Sequence, residues 1–522
     1  MALKHALAAT LATGLASMVI AARLEYYEES LPTTLNPLYA STMVDYRAQE
    51  LVFDRLWYHD PITNNLLSRL VENWEVAEGG KAVKLTMRPG IKWHNGKNLT
   101  SKDVCFTVNA MLNRSTPSPI AAAYRQVLAG CDTQGNQTAL IRFTRVYHNP
   151  RERLGFAILP ESAFKSTAIA PDLEFSARPI GSGPYNGSIG RQAVSFDAFA
   201  NAQHAPQVVQ LQLGEGGDPL VQTKTLINNS VQGIVAVPPP QRPALSAESE
   251  VALKSYDLRS WWYIAVNSNK SALADKRVRQ AINLLLDRTE LRKLSIGVAP
   301  GEENSPCEFI SGPFVQSSPY YNRTVPTVER SDQAKAEQLL EAAGMSKIGG
   351  NWHHNGNRIT LQVGMLASLN NEAPDLLDQI SNQLGAAGFD RQVTKIPADQ
   401  WTRRVITGES QQFDLLIGKW SFGLVEDVND LFHSRRGTEG KKNIFNYAST
   451  DIDSILGEYD AARTDTAAKD AYHKLHEKLA DELPYLFLWK LDTKSAWRTE
   501  VRGNIISPYY YFTEISSWKY SR

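Results

Sequence analysis

The 522-residue sequence lacks the side-chain arrangements that are typical of a hydrolase. Such an enzyme needs an activated nucleophile with a base, a set of metal ligands or a pair of carboxylates. The chain has no Gly-x-Ser-x-Gly turn and no His-Glu-x-x-His helix. Its adjacent histidines, His353 and His354, would point to opposite faces of a strand, so they would not share a metal ion. We therefore expect no catalytic site, no metal site and no cofactor.

A glycine-rich turn contains Gly181 and Gly183, a spacing that also occurs in phosphate-binding loops. A phosphate site is built from several backbone amides that point at the anion. Pro184 has no amide hydrogen, and no Gly-Lys-Ser/Thr follows it. The turn is therefore predicted to have a structural role.

Tryptophan and tyrosine are the side chains whose abundance points to a ligand site. The chain has 11 tryptophans and 20 tyrosines, more than packing alone requires, and aromatic-lined clefts are a common use for such residues. It also has 55 basic and 55 acidic residues, so no overall field favours nucleic acid or an anionic membrane. We expect no nucleic-acid partner; an aromatic-lined cleft would suit a small-molecule or peptide ligand, and packing in a core or between domains is the alternative for most of these aromatic residues.

Residues 1–21 have the pattern of a secretory signal peptide. A positive charge precedes an apolar, alanine-rich run, and small residues stand where a signal peptidase would cut, after Ala21 or Ala22. The first cysteine is Cys105, so no lipid anchor is expected. No later segment has eighteen uninterrupted apolar residues, the length of a membrane span. These features predict an exported, periplasmic protein.

The sequence has three cysteines, an odd number for an oxidising compartment. Cys105 and Cys131 are close enough in sequence to form a disulfide within one domain. Cys105 would also lie beside the buried stripe of a helix, so a plain buried thiol is the alternative. Cys307 is then left over.

Alternating strands and helices predict an α/β fold, and the length predicts two or three domains. Period-two alternation at residues 83–87 predicts a strand, and Thr100 with Asp103 predicts a capping box that opens a helix. Apolar residues at helical spacing at 275–287 and 375–387 predict two further helices. The buried face of the first helix would carry Val104, Val108 and Met111.

Residues 88–104 contain an Arg-Pro-Gly turn, a Trp-His-Asn-Gly turn and a Leu-Thr-x-x-Asp-Val helix start, in that order. This succession resembles the family 5 extracellular solute-binding proteins, the peptide- and nickel-type receptors of bacterial ABC importers. Residues 178–185, RPIGSGPY, and residues 261–285, which begin WWYIAVN, match further family segments. At residues 53–56 the chain has Phe-Asp-Arg-Leu where the family carries Tyr-Glu-Gly-Leu. The resemblance covers essentially the whole mature chain.

The resemblance implies the fold of a type II, cluster C periplasmic binding protein, with two lobes around a ligand cleft and an additional inserted domain. Two strands would connect the lobes and act as hinges. The predicted parts are a signal peptide at 1–21, a discontinuous domain I at 22–46, 172–262 and 490–522, an inserted domain II at 47–171 and a domain III at 263–489.

The resemblance also implies a ligand site around Trp420. Peptide receptors of this family place an aspartate three positions after this tryptophan, where it pairs with the amine of the peptide. Here that position is Gly423, which cannot hold an ammonium group, although Glu426 or Asp427 could replace the aspartate from nearby. The ligand is then an N-blocked peptide, an opine, a sugar-linked compound or another peptide-like solute. The predicted ligand-binding residues are Trp420, Ser421, Phe422, Trp401, Trp261, Trp262, Tyr46, Arg153 and Arg151.

Two of these predictions rest on charge, because Arg151 and Arg153 lie in a basic run and could hold an anionic ligand end. A solvated face is the alternative for that run. Partners implied by the resemblance are an ABC permease and its ATPase, with the receptor itself a monomer. The alternatives are a receptor for an opine, glycoconjugate or metal chelate, a non-transport sensor or chaperone, and a periplasmic hydrolase. A turnover assay separates the last of these, and neighbouring permease and ATPase genes favour import.

Overall fold

The structure is a computed structural model. It describes residues 23–63, 65–171, 174–256, 259–296, 308–397, 400, 409–422, 425–434, 443–490, 493–507 and 510–520. Trp401, Gly423, Cys307 and the predicted signal peptide lie outside the described residues.

The strands are numbered here in chain order: β1 (Arg23–Glu28), β2 (Tyr58–His59), β3 (Leu66–Leu67), β4 (Val71–Ala77), β5 (Ala82–Met87), β6 (Leu128–Gln134), β7 (Thr138–Phe143), β8 (Tyr185–Ile189), β9 (Ala193–Ala198), β10 (Gln210–Glu215), β11 (Gly233–Ile234), β12 (Val251–Tyr256), β13 (Ser260–Val266), β14 (Ser346–Ile348), β15 (Asn351–His354), β16 (Asn357–Arg358), β17 (Thr360–Leu366), β18 (Asp390–Ile396), β19 (Leu415–Ser421), β20 (Tyr485–Lys490) and β21 (Thr493–Arg498).

The α-helices of the described segments are α1 (Met43–Val52), α2 (Ser101–Leu112), α3 (Pro119–Arg125), α4 (Pro219–Ile227), α5 (Arg242–Ser246), α6 (Lys276–Leu285), α7 (Arg288–Ile296), α8 (Gln333–Ala342), α9 (Leu376–Ala386), α10 (Asn429–Phe432), α11 (Thr450–Ala461) and α12 (Asp465–Glu482). None of these described helices is both long and apolar enough to cross a bilayer.

The strand and helix predicted around residues 83–113 are confirmed. β5 alternates buried and half-buried side chains, as a strand with one covered face does. At the start of α2 the Thr100 amide donates to Asp103 Oδ2 at 2.8 Å, which satisfies a donor that the first helical turn leaves open. Val104, Val108 and Met111 are fully buried.

A disulfide joins Cys105 on α2 to Cys131 on β6. The two Cα atoms are 5.0 Å apart, and the bond spans 26 residues of chain. Of the two possibilities that the sequence left open for Cys105, the structure has the disulfide. It ties the helix to the sheet beneath it, so the pair stabilises a single domain.

Three large sheets organise the described chain. A seven-stranded sheet has the order β12-β21-β11-β1-β10-β9-β8, and a four-stranded sheet has the order β4-β5-β7-β6. One continuous hydrophobic core contains side chains from both of these sheets. We call this body, the described residues of 23–256 and 493–520, the first lobe.

The third large sheet has the order β18-β17-β19-β13-β20 and forms the centre of the second lobe, the described residues of 259–490. Strand β13, which lies between β19 and β20, is buried on both faces. Trp262, Ile264 and Val266 pack into a core with α6, α8 and α9. Trp261 and Tyr263 point the other way, into a core with α11 and α12. The unbroken apolar run of this strand follows from its having no solvated face.

The chain crosses between the lobes at two neighbouring places. One crossing lies between Tyr256 on β12 and Ser260 on β13, and the other lies between Lys490 on β20 and Thr493 on β21. Tyr256 pairs with Thr493 in the first lobe, and Trp261 pairs with Lys490 in the second lobe. The described residues that flank the two crossings are therefore neighbours in both lobes. The predicted domain boundaries remain predictions, and β13 begins ahead of the one at 262.

Candidate ligand-binding cleft

A cavity of about 450 Å³ lies between the two lobes. We call it the cleft. The first lobe contributes helix and loop residues that include Leu38, Met43, Tyr46, Glu50, Arg55, Met111, Ile120, Ala123, Tyr124, Val127, Glu152, Arg153, Phe156 and Tyr510, and the second lobe contributes Ser421, Phe422 and Val425. Its volume is in the range of about 300–1,000 Å³ that small-molecule sites occupy.

A second cavity of about 480 Å³ lies within the second lobe, between Arg288 and Glu477. No first-lobe residue lines it, and it contains none of the predicted site residues. A site that closes between lobes requires walls from both, so the cleft is the stronger candidate.

Four of the predicted site residues line the cleft: Tyr46, Arg153, Ser421 and Phe422. Tyr46 lies on α1, and Ser421 ends β19, where its hydroxyl group lies 2.7 Å from that of Ser260. The pairing of β19 with β13 therefore sets the position of the cleft wall that the second lobe provides.

The predicted tryptophans lie behind that wall. The Trp420 ring meets Phe422 edge-on, with the ring centroids 6.2 Å apart. Trp261 is fully buried and its ring centroid is 6.4 Å from that of Phe422. Trp262 is fully buried on the opposite face of the sheet. Successive side chains of a strand point to opposite faces, so the two neighbours do not reach the cleft together.

Of the two predicted arginines, Arg153 lines the cleft and Arg151 does not. Arg151 stacks on Trp74, with its guanidinium 4.3 Å from the ring centroid, away from the cleft. Arg153 is only 8% exposed and forms an ion pair with Asp427 of the second lobe at 2.8 Å. Burial opposes ionisation of Asp427, but Arg153 and hydrogen bonds from Asn429 outweigh it and hold the pKa of Asp427 at about 2. The pair therefore links the lobes across the cleft.

The other carboxylate near Gly423 is also engaged. Glu426 is 3% exposed and accepts a hydrogen bond from the Ser318 hydroxyl at 2.5 Å. The Arg259 guanidinium lies 3.4 Å from the same Glu426 oxygen. Both carboxylates therefore already face a cation, Asp427 that of Arg153 and Glu426 that of Arg259.

The sequence analysis did not identify Glu50 or Arg55 as site residues. Arg55 stacks on Tyr510, with its guanidinium 4.4 Å from the ring centroid, and its Nη1 donates to the Gly155 carbonyl oxygen at 2.9 Å. Glu50 accepts a hydrogen bond from the Phe512 amide at 3.0 Å. One signal in the sequence could have identified Arg55 as a site residue: it stands where the resembled family has glycine.

Replacing Glu50 with glutamine is expected to stabilise the protein at alkaline pH. Burial raises the pKa of Glu50 from 4.5 to about 8. When a carboxyl group has a higher pKa in the folded state than in the unfolded state, the protein has its full stability below the unfolded-state pKa. That stability is lost as the pH rises through the folded-state pKa. Between pH 5 and pH 9 the free energy of unfolding of the wild type should fall by roughly 2 kcal/mol relative to Glu50→Gln, after discounting for partial exposure. Parallel pH profiles in urea titrations would contradict this.

The motifs at residues 88–104 and 178–185 contact each other and do not line the cleft. The Gly181 amide donates to His94 Nδ1 at 3.1 Å, and His94 Nε2 lies 3.1 Å from the Gly183 carbonyl oxygen. The Gly183 amide donates to the Val52 carbonyl oxygen at 2.9 Å. Burial lowers the pKa of His94 to about 4, so the ring is neutral. Because these amides are already bonded, the predicted structural role of the glycine turn is confirmed.

Among the described residues, no group of three or more histidine, cysteine, aspartate or glutamate side chains is placed to hold a metal ion. His353 and His354 lie on β15 in a small three-stranded sheet outside the cleft.

Comparison with known proteins identifies the family. The family model "Bacterial extracellular solute-binding proteins, family 5 Middle" matches residues 65–442. The chain belongs to the family 5 extracellular solute-binding proteins.

Relatives of this solute-binding protein match it over nearly its whole length. The oligopeptide-binding protein AppA of Bacillus subtilis is 23% identical over 510 residues, which cover 93% of this chain and 89% of AppA. The structure of B. subtilis AppA with a nonapeptide has a TM-score of 0.80 at 20% identity and covers 96% of this chain and 99% of AppA. NikZ of Campylobacter jejuni with Ni(L-His) has a TM-score of 0.79 at 19% identity and covers 95% and 99%. The predicted two-lobed α/β fold is confirmed.

Proposed function

We propose that this solute-binding protein captures a peptide or peptide-like solute by closing its lobes and delivers it unaltered to an ABC permease. The observation that carries the proposal is a cavity whose walls come from both lobes. Two adjacent crossings connect these lobes, an arrangement suited to hinge closure. A ligand that contacts both walls has differential affinity for the closed form, so it shifts the equilibrium toward closure. The name of the AppA relative supports a peptide-like ligand.

Two features of the cleft argue against the standard free-amine peptide. The two carboxylates that follow Gly423 in the sequence, Glu426 and Asp427, are paired with Arg259 and Arg153. The Glu152 carboxylate accepts a hydrogen bond from Asn149 at 2.7 Å, and burial raises its pKa, which disfavours the anion. A buried ammonium without a counter-charge is costly. N-blocked peptides and opine-like acids suit the cleft better.

Mass spectrometry of the small molecule released when the purified protein is denatured tests the proposal. We expect a peptide-like compound, and we expect the same compound to be recovered unchanged after incubation with fresh protein. Small-angle scattering should show a smaller radius of gyration when it is added back. A chemically altered product would favour the hydrolase alternative, and an unchanged radius would contradict lobe closure.

Export and assembly complete the proposal. The protein is expected to act in the periplasm as a monomer, after removal of residues 1–21 or 1–22. The N-terminal sequence of the mature protein and its mass in solution check both statements. Intact residues 1–21 on the exported protein would contradict cleavage.

Trp420→Ala is expected to weaken affinity for the released ligand by more than tenfold, about 1.4 kcal/mol. Trp420 supports the Phe422 ring at the cleft wall, so its loss leaves that ring without a packing partner on one edge. Titration calorimetry measures the effect. Trp74→Ala is the matched control, because Trp74 packs beneath Arg151 in the first lobe, away from the cleft. Equal affinities of Trp420→Ala and the control would remove Trp420 from the site.

A further inference from the structure

Arg55 is a cation in the cleft wall for which the described residues supply no anionic partner within ion-pair distance. Its Nη1 donates to the neutral Gly155 carbonyl group, and its plane lies over Tyr510. A guanidinium carries five N–H groups in a rigid fork, so one such bond leaves donors for a ligand. The other arginine of the cleft, Arg153, is already paired with Asp427. The two arginines therefore have different roles.

The carboxyl group beside Arg55 is that of Glu50, which forms no ion pair with it among the described contacts. Glu50 lines the same cleft, and burial raises its pKa despite the opposing effect of Arg55. The raised pKa favours the protonated form of Glu50. A protonated carboxyl group can donate a hydrogen bond to an anion that approaches Arg55.

The remaining wall is mostly apolar. Met43, Met111, Ile120, Val127 and Phe156 line the first-lobe side, and Phe422 faces them from the second lobe. Arg55 is half-buried, and in such surroundings a cation is stabilised by an anion that arrives with hydrogen-bonding geometry. An apolar ligand body would at the same time cover the hydrophobic wall.

We propose that the solute bound in this cleft is an apolar acid without a free amine, whose carboxylate pairs with Arg55. The proposal rests on the proposed function, since it names the class of peptide-like solute. A planar guanidinium accepts a carboxylate through two parallel hydrogen bonds, and the stacked Tyr510 ring holds that plane in one orientation. N-acylated dipeptides with large apolar side chains satisfy both requirements.

The test uses the full mature chain, freed of ligand by unfolding and refolding, and a mixture of N-acetyl dipeptides of Leu, Ile, Val, Phe and Met. Each dipeptide is supplied as the free acid and as the C-terminal amide, and the unacetylated dipeptides form a third set. Retained compounds are quantified by mass spectrometry after ultrafiltration. We expect the acetylated acids to be enriched at least tenfold over their amides and over the unacetylated set.

Two variants assign the preference to Arg55. Arg55→Met keeps the length of the side chain and removes the charge, so the ratio of acid to amide should fall to within twofold of one. Arg55→Lys keeps the charge but loses the planar fork, so its ratio of acid to amide should lie between those of Arg55→Met and the wild type, which preserves the test if Arg55→Met folds poorly. Thermal midpoints of both variants monitor folding.

The outcomes separate the inference from the proposed function. Three outcomes would overturn the inference and leave a peptide receptor. They are retention of the amides as well as the acids, a preference for acids that survives in Arg55→Met, and enrichment of the unacetylated dipeptides. Retention of no compound from any of the three sets would contradict the proposed peptide-like ligand itself.

Discussion

Gly181→Ala is expected to lower the free energy of unfolding by more than about 4 kcal/mol or to prevent folding, because the added methyl group has no space. A Cβ atom at this position would lie 1.8 Å from the Val52 carbonyl oxygen. Val52 is fully buried at the end of α1, so its backbone cannot move away cheaply. On the other side, the His94 amide donates to the Gly181 carbonyl oxygen at 2.8 Å. Urea denaturation followed by circular dichroism measures the loss.

The matched control is another glycine-to-alanine change, Gly457→Ala. Gly457 lies on the exposed side of α11, and no atom lies within 4 Å of a Cβ placed there. Alanine is the better helix former, so this variant should gain about 0.5–1 kcal/mol. A loss of less than about 1 kcal/mol in Gly181→Ala would show that the close approach of Gly181 to the Val52 carbonyl group does not constrain the fold.

Secondary structure and fold were largely predictable because they depend on local pattern. The alternation at residues 83–87 and the Thr100–Asp103 capping box are short-range signals, and both appear where expected. The choice between a disulfide and a free thiol for Cys105 was not predictable, because it depends on how β6 packs against α2. Pairing at long range is set by tertiary structure, which a single sequence does not reveal.

The site was less predictable than the fold. Trp261 and Trp262 were expected to stack on the ligand, but β13 lies between β19 and β20 and is covered on both faces. The continuous apolar run that contains them is itself the signal of a fully buried strand. Arg55 contacts Tyr510 only because the two segments of the first lobe, 23–256 and 493–520, pack together. Such a contact leaves no periodic signal in the sequence.

Arg153→Met is expected to weaken ligand affinity by at least tenfold through its effect on lobe closure. The Arg153–Asp427 pair joins the first lobe to the second at 2.8 Å, and Arg153 is 8% exposed. Removing one partner of a fully buried pair costs about 3–5 kcal/mol because the other charge is left uncompensated, and the 26% exposure of Asp427 reduces this to roughly 1.5–3 kcal/mol here. This cost falls on the closed form, where the two residues meet, so the open form becomes more populated. Calorimetry measures the affinity, and small-angle scattering measures the shift toward a larger radius of gyration.

Acidification should imitate the substitution. The folded pKa of Asp427, about 2, is depressed below the ordinary value of 3.8. Because the pKa of Asp427 is lower in the folded state, the ion pair stabilises lobe contact fully above the unfolded-state pKa. This stabilisation is lost as the pH falls through the folded-state pKa of about 2. The ligand-bound wild type should therefore open on titration from pH 4 to pH 2, whereas Asp427→Asn with the same ligand should already be more open at pH 4.

An exposed pair between the same lobes supplies the control. Arg145 contacts Asp460 across the lobes, but the side chains are 37% and 35% exposed. Exposed pairs contribute about 0–1 kcal/mol, so Arg145→Met should change affinity less than fivefold. The double variant Arg153→Met/Asp427→Leu removes both charges and should recover much of the lost closure, since an apolar pair carries no desolvation penalty. If the double variant stays as open as Arg153→Met, loss of packing and not the unpaired Asp427 charge would explain the effect, and the electrostatic link between the lobes would be refuted.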